Sequence, residues 1–313
     1  MTPTPPTPNR AVLGLCLMLA ALDASAKAQA PQTDLERYLL QNHYGPVETQ
    51  SGDTPNEQTF DARINGKGIH FVVDTGACPT CITADSARRL GLTVHDTGKT
   101  DWGVGGEMSG QTGMAPITTF TINDWNINRM STIAVLPTGA YLQEDGLFGL
   151  DALSLNAAIF PVGGRGFLIK PGATPIVSIA GYMQGLGFTP VPLKISRNRL
   201  IVSGSLDNQP FVALIDSGAS YTLFETELVD KVHAQDRLWT YVSMEGIDGR
   251  RIHTWQFVPR QFSLGALKIT PQVMLSQTSP ILQKEKFDAL IGFDFLAQHR
   301  AVIDLGYRIL WLK

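Results

Sequence analysis

The 313-residue chain has little cysteine: three in all, of which only Cys78 and Cys81 lie beyond residue 30. Two thiols cannot close a structural zinc site by themselves. Histidine is sparse as well, and its six copies form no H-E-x-x-H. No G-x-S-x-G occurs either, so neither metal-assisted hydrolysis nor a serine nucleophile has support in the sequence. Neither sign of charge prevails, with 25 Lys and Arg against 28 Asp and Glu and a net charge of -3. A nucleic-acid partner would require a basic face, and no basic run is present. Long hydrophobic runs are missing too, apart from one near the start of the chain.

That run, "AVLGLCLMLAAL", follows Arg10 and precedes "ASAKAQA", whose small residues have the spacing of a cleavage site. Together they read as a signal peptide over residues 1–28, cut after Ala26 or Ala28. The run is shorter than the roughly 20 residues of a spanning helix. Cys16 follows Leu15, not a small residue, and so does not read as a lipid-attachment site. The mature chain is expected in the periplasm or outside the cell, with a retained membrane tether as the alternative. Loss of Arg10, Asp23 and Lys27 would take the net charge from -3 to -4.

What the chain does have is a copy of itself. "FVVDTGACPT" at 71 matches "ALIDSGASYT" at 213, setting Asp74 against Asp216 and Thr80 against Thr222. Farther on, "LFGLDALSLNAAIFPVGGRGFLIK" at 147 aligns without a gap with "LIGFDFLAQHRAVIDLGYRILWLK" at 290. Between these blocks lie two glycine-bearing turns, around Gly103 and Gly105 and around Gly246. Three landmarks therefore recur in one order, which marks an internal repeat. Upstream of each aspartate, Asn65-Gly66 and Asp207-Asn208 are hairpin turn signals between alternating apolar residues. The pattern predicts a mostly β chain in two related halves, with "ADSARRLGL" and "TELVDKVHA" as its only short helices. Another short helix, begun by Asp34, is open in the segment before the first half. Around residues 170–192 proline and glycine cluster and no copy of either half is visible. The expected division is 29–57 as a segment of unreadable role, 58–170 and 196–313 as lobes, and 171–195 as a connector.

A strand does not bury a carboxylate without compensation. Two carboxylates brought together across a pseudo-twofold axis cannot both ionise easily, so they share a proton. One can then take a proton from water as that water attacks an amide carbonyl, while the other donates to the carbonyl oxygen. Thr75 and Ser217 offer hydroxyls to cross-link the two loops, and Gly76 and Gly218 allow close backbone approach. Ala77 and Ala219 leave room for a substrate backbone. Leu147-Phe148 and Leu290-Ile291 are expected beneath the loops, excluding water. Trp102, Gly103, Gly105 and Gly246 belong to turns that would close over a cleft and touch substrate.

D-T-G-A and D-S-G-A, each followed by an apolar-apolar-Gly segment, resemble the aspartic protease superfamily. The second block is more similar to retropepsin-like domains than to pepsin lobes. Such domains usually dimerise to complete a site, whereas this chain carries two, so a pepsin-style pair in a single molecule is implied. The resemblance implies two all-β barrel-like lobes with the site between them, and a protein or peptide substrate. It further implies Asp74 and Asp216 as catalytic pair, Thr75, Gly76, Ser217 and Gly218 as support, and no metal or organic cofactor. A peptide-binding relative without activity on the same scaffold is the competing reading.

Two side readings complete the picture. Asp151 and Asp294 begin short segments after glycines and are expected as helix caps. If residues 78–81 run extended, as the matching "SYTL" suggests, positions three apart lie about 10 Å apart. A disulfide needs Cα atoms within roughly 7 Å, so free thiols are expected, with Cys78 near the cleft and Cys81 packed.

Overall fold

A computed structural model describes residues 34–313, except 53–55, 101, 104–105, 109, 128–129, 139, 171, 174–175, 233–237, 246 and 248. The predicted signal segment, Gly105 and Gly246 thus lie outside the described residues. No helix among the described residues is long and apolar enough to cross a membrane.

Each lobe starts from a hairpin whose turn residues sit in the left-handed region, where Asn, Asp and Gly are tolerated. In the first lobe Asn65 and Gly66 (φ 50° and 79°) join Gln58–Ile64 to Lys67–Val73. In the second, Asp207 and Asn208 (φ 46° and 67°) join Arg199–Leu206 to Gln209–Ile215. The second strand of each hairpin then takes a parallel partner from far along the chain. Val72 stands opposite Leu147 and Val73 opposite Phe148. In the other lobe Leu214 faces Leu290 and Ile215 faces Ile291. A further short strand closes each arrangement from the other side, Cys81–Ile82 in one lobe and Leu223–Glu225 in the other.

Alternation along these strands sends one residue to the core and the next to the cleft. Phe148 and Ile291 enter the core with Phe60, Phe71, Phe211 and Phe224, all but fully buried. Leu147 and Leu290 face the cavity between the lobes instead. The apolar pairs therefore split, because neighbours in a strand cannot both lie beneath the loop.

A third, six-stranded sheet joins the lobes. The first half contributes Tyr44–Val47, Gly166–Ile169 and Ile159–Pro161, and the second Val302–Asp304, Ile309–Leu312 and Thr189–Pro192. Its central seam pairs Ile159 with Asp304 and Phe160 with Ile303. At each outer edge a helix precedes the edge strand: Asp34–Gln41 before one, Ala180–Gly185 before the other. Residues 34–47 and 180–192 are thus matching units, although their sequences show no likeness. Short helices are also more numerous than the two expected. Leu150–Leu155, Ala180–Gly185, Pro280–Glu285 and Phe293–Gln298 are each six residues long, too brief to show a helical period.

Candidate active site

Asp74 and Asp216 end their strands at the same depth, because each backbone N–H donates to the parallel partner strand. Asp74 N–H reaches Phe148 O and Asp216 N–H reaches Ile291 O, both at 3.0 Å. Each carboxylate is then held by its own loop. Asp74 Oδ1 accepts from the N–H groups of Gly76 (2.8 Å) and Ala77 (2.9 Å). Asp216 Oδ1 accepts from those of Gly218 and Ala219, both at 3.1 Å.

Thr75 and Ser217 lock the loops together. Thr75 N–H donates to Ser217 Oγ (3.1 Å) and Ser217 N–H to Thr75 Oγ1 (3.0 Å). The hydroxyls donate onward across the interface, from Thr75 to Ile215 O and from Ser217 to Val73 O, each at 2.8 Å. All four donors and acceptors are satisfied inside a buried contact. The approach is so close that a Cβ at Gly76 would overlap the Asp216 carboxyl, and one at Gly218 would overlap that of Asp74. Only glycine fits either position.

The two carboxyls meet across the interface, each packed against the other loop's glycine. Burial pushes both above the usual carboxylate range, and the charge of Asp74 then drives Asp216 well above it. Two acids in one dry site hold one proton between them more readily than none.

Behind the loops a second pair of acids does more than the capping expected of it: Asp294 Oδ1 accepts from Phe295 N–H of its own helix at 2.7 Å, whereas among the described residues no such bond is seen at Asp151. The helices Leu150–Leu155 and Phe293–Gln298 begin at Gly149 and Gly292, which lack side chains to cap with. Asp151 Oδ1 accepts from Thr80 N–H (2.8 Å) and Thr80 Oγ1 (2.7 Å). Asp294 does the same for Thr222, both at 2.8 Å. Each threonine hydroxyl in turn accepts from the glycine N–H, at 2.9 Å for Gly149 and 3.0 Å for Gly292. These acids anchor the chain leaving each aspartate loop to the helix behind it.

The carboxyls open into a cavity of about 160 Å³ with mostly apolar walls, including Met108, Leu136, Leu147, Leu214, Phe287 and Leu290. Ala77 lines it, whereas Ala219 packs on the Leu214, Leu282 and Leu290 cluster. Cys78 lines it as well, half-buried, while Cys81 is buried, and no disulfide joins the two. Burial, and then the charge of Asp151, raises the Cys78 thiol's pKa, which disfavours the nucleophilic thiolate. Trp102 and Gly103 form a small hairpin strand paired with Gly106 and Glu107. From the other lobe, Arg250 donates to Glu107 O at 3.4 Å. Nearby, Tyr141 N–H donates to Ile247 O at 2.7 Å, so the lobes also meet through the loop that holds Ile247 and Arg250.

Two cavity residues carry no motif and escaped sequence reasoning. Arg199 donates to Gly76 O (2.7 Å) and grips Glu285 through Nε (3.2 Å) and Nη2 (2.8 Å). Their separation of 86 residues hides the pair from any local pattern.

The comparisons agree with this architecture. Residues 60–155 match the family described as "gag-polyprotein putative aspartyl protease", and residues 202–295 the family described as "Aspartyl protease". Among solved structures, the fold is similar to that of an aspartic proteinase from Irpex lacteus, with a TM-score of 0.52 and 14% identity over 86% of this chain and 96% of that one. No curated protein matches the sequence. Fold and site together define a bilobal aspartic-type peptidase scaffold. The chain belongs to the aspartic protease superfamily, with two of its domains in tandem.

Proposed function

We propose that this chain is an exported aspartic endopeptidase that hydrolyses peptide bonds with water held between Asp74 and Asp216. The observation that carries the reading is the meeting of these two carboxyls across the lobe interface, each fixed by two backbone amides and pressed against the other's glycine. The ionised member takes a proton from water as that water attacks the carbonyl carbon, and the protonated member donates to the carbonyl oxygen. An extended peptide laid through the cleft would place apolar side chains against Leu147 and Leu290 on either side of the scissile bond. One chain supplies both aspartates, so a monomer suffices.

Peptide hydrolysis assayed from acidic to neutral pH tests the chemistry. Asp74→Asn and Asp216→Asn should each lower kcat by at least about 10³-fold. Activity retained in either variant would reject the mechanism. Because both carboxyls are pushed up, the one-proton state extends upward in pH, and the alkaline limb of the profile marks loss of the shared proton. The charge and apolar pattern of residues 1–28 support export to the periplasm or beyond. N-terminal sequencing of the mature protein should begin at Lys27 or Gln29, and an intact Met1 in the soluble fraction would contradict export.

A further inference from the structure

The two aspartate loops are related by symmetry, but their surroundings are not. Register places Thr59 opposite Val72 and Ile201 opposite Leu214, so Arg199 corresponds to Glu57 in the first lobe. A base thus stands on one side at the position where an acid stands on the other. Arg199 starts its strand in the second lobe and reaches into the first, where Nη1 meets the carbonyl of Gly76 at 2.7 Å. Gly76 is the residue whose N–H holds Asp74 and whose Cα leaves room for Asp216. Both atoms of the Glu285 carboxylate orient the guanidinium, and the two side chains are only 21% and 20% exposed. A planar fork fixed in this way holds one positive charge in the cavity wall beside the pair.

Resting on the peptidase reading above, we propose that Arg199 is a positioning residue that breaks the symmetry of the aspartate pair. It pins the Asp74 loop through Gly76 and favours the singly ionised state of the pair, with Glu285 setting the guanidinium's direction. Among the described residues, the charged and titratable groups lining the cavity with the pair are Arg199 and Glu285 from the second lobe and the Cys78 and Cys81 thiols from the first. Burial raises both carboxyls, the charge of Asp74 raises Asp216 further, and the positive charge of Arg199 is felt by both members of the pair.

The test is the acid limb of kcat/KM against pH, which marks the first ionisation of the pair. Arg199→Gln removes the positive charge and leaves Glu285 unpaired, so the limb should move up by about one pH unit. Glu285→Gln removes a negative charge while Arg199 keeps its own, so the limb should move down. Arg199→Lys retains the charge and should restore the limb while kcat stays reduced, because an ammonium cannot hold Gly76 and Glu285 together. Opposite shifts support the proposal, since a purely structural contact would lower kcat/KM at every pH without moving the limb. An unmoved limb in folded Arg199→Gln, or an upward shift in Glu285→Gln, overturns it. Should Arg199→Gln fail to fold, the direction in Glu285→Gln decides alone. Wild-type protein that cleaves no peptide at any pH would instead sink the peptidase reading itself.

Discussion

At the scale of single residues, the centre of the molecule depends on two hydroxyls more than on bulk. Ser217 is 2% exposed, and its oxygen both accepts from Thr75 N–H and donates to Val73 O. Ser217→Ala would strand a buried donor and a buried acceptor at once, costing about 2–4 kcal/mol. The expected result is a melting temperature lower by roughly 5–10 °C, with activity falling as the carboxyls lose alignment. Ser217→Thr keeps the oxygen, as Thr75 does on the other side, and should melt within a few degrees of wild type. An unchanged melting curve for Ser217→Ala would show that the cross-link carries no stability. This residue was readable in advance because D-T-G-A in one half has its counterpart in D-S-G-A in the other, and a repeated hydroxyl beside a repeated acid has a chemical reason. Arg199 and Glu285 were not readable. An arginine opening a strand and a glutamate ending a helix look like any solvated pair until folding brings them to one wall.

At the scale of elements, the strands around the aspartates were legible and the helices were not. Turn signals at Asn65-Gly66 and Asp207-Asn208 have a local cause, the left-handed backbone that those residues tolerate, so both hairpins could be placed from sequence. The six-residue helices behind the loops have no such signature. Leu150–Leu155 starts at a glycine without a capping side chain, and its acid is committed to Thr80 instead. What looked like a capping position is an anchoring one, because the strongest donors near Asp151 belong to a different element. The same lesson holds for Leu147 and Phe148. Sequence showed an apolar pair, but only the pleat decides that Phe148 goes to the core while Leu147 faces the cavity.

For the whole molecule, the six-stranded sheet is what makes two lobes into one body, and a buried acid lies on its seam. Asp304, 1% exposed, pairs with Ile159 of the other half and accepts from Tyr307 N–H at 3.1 Å. Burial pushes its carboxyl up to about 6, and that burial together with the Asp304 charge suppresses ionisation of the neighbouring Tyr44 phenol. An unfolded aspartate titrates near 3.9. Between these values the folded chain binds the proton and the unfolded chain does not. The stabilisation is therefore fully present below about 3.9 and is lost as pH rises through about 6, worth up to about 3 kcal/mol. The aspartate pair adds a pH dependence of the same sign, so the contrast must come from substitution. Asp304→Asn keeps an acceptor for Tyr307 and cannot ionise. Denaturant unfolding should then show wild type and variant close together at pH 4 and the variant more stable at pH 8. Equal destabilisation at both values would mean that Asp304 serves the seam only as a hydrogen-bond acceptor. A gap that widens with pH would mean that the junction between the lobes weakens as its buried acid ionises.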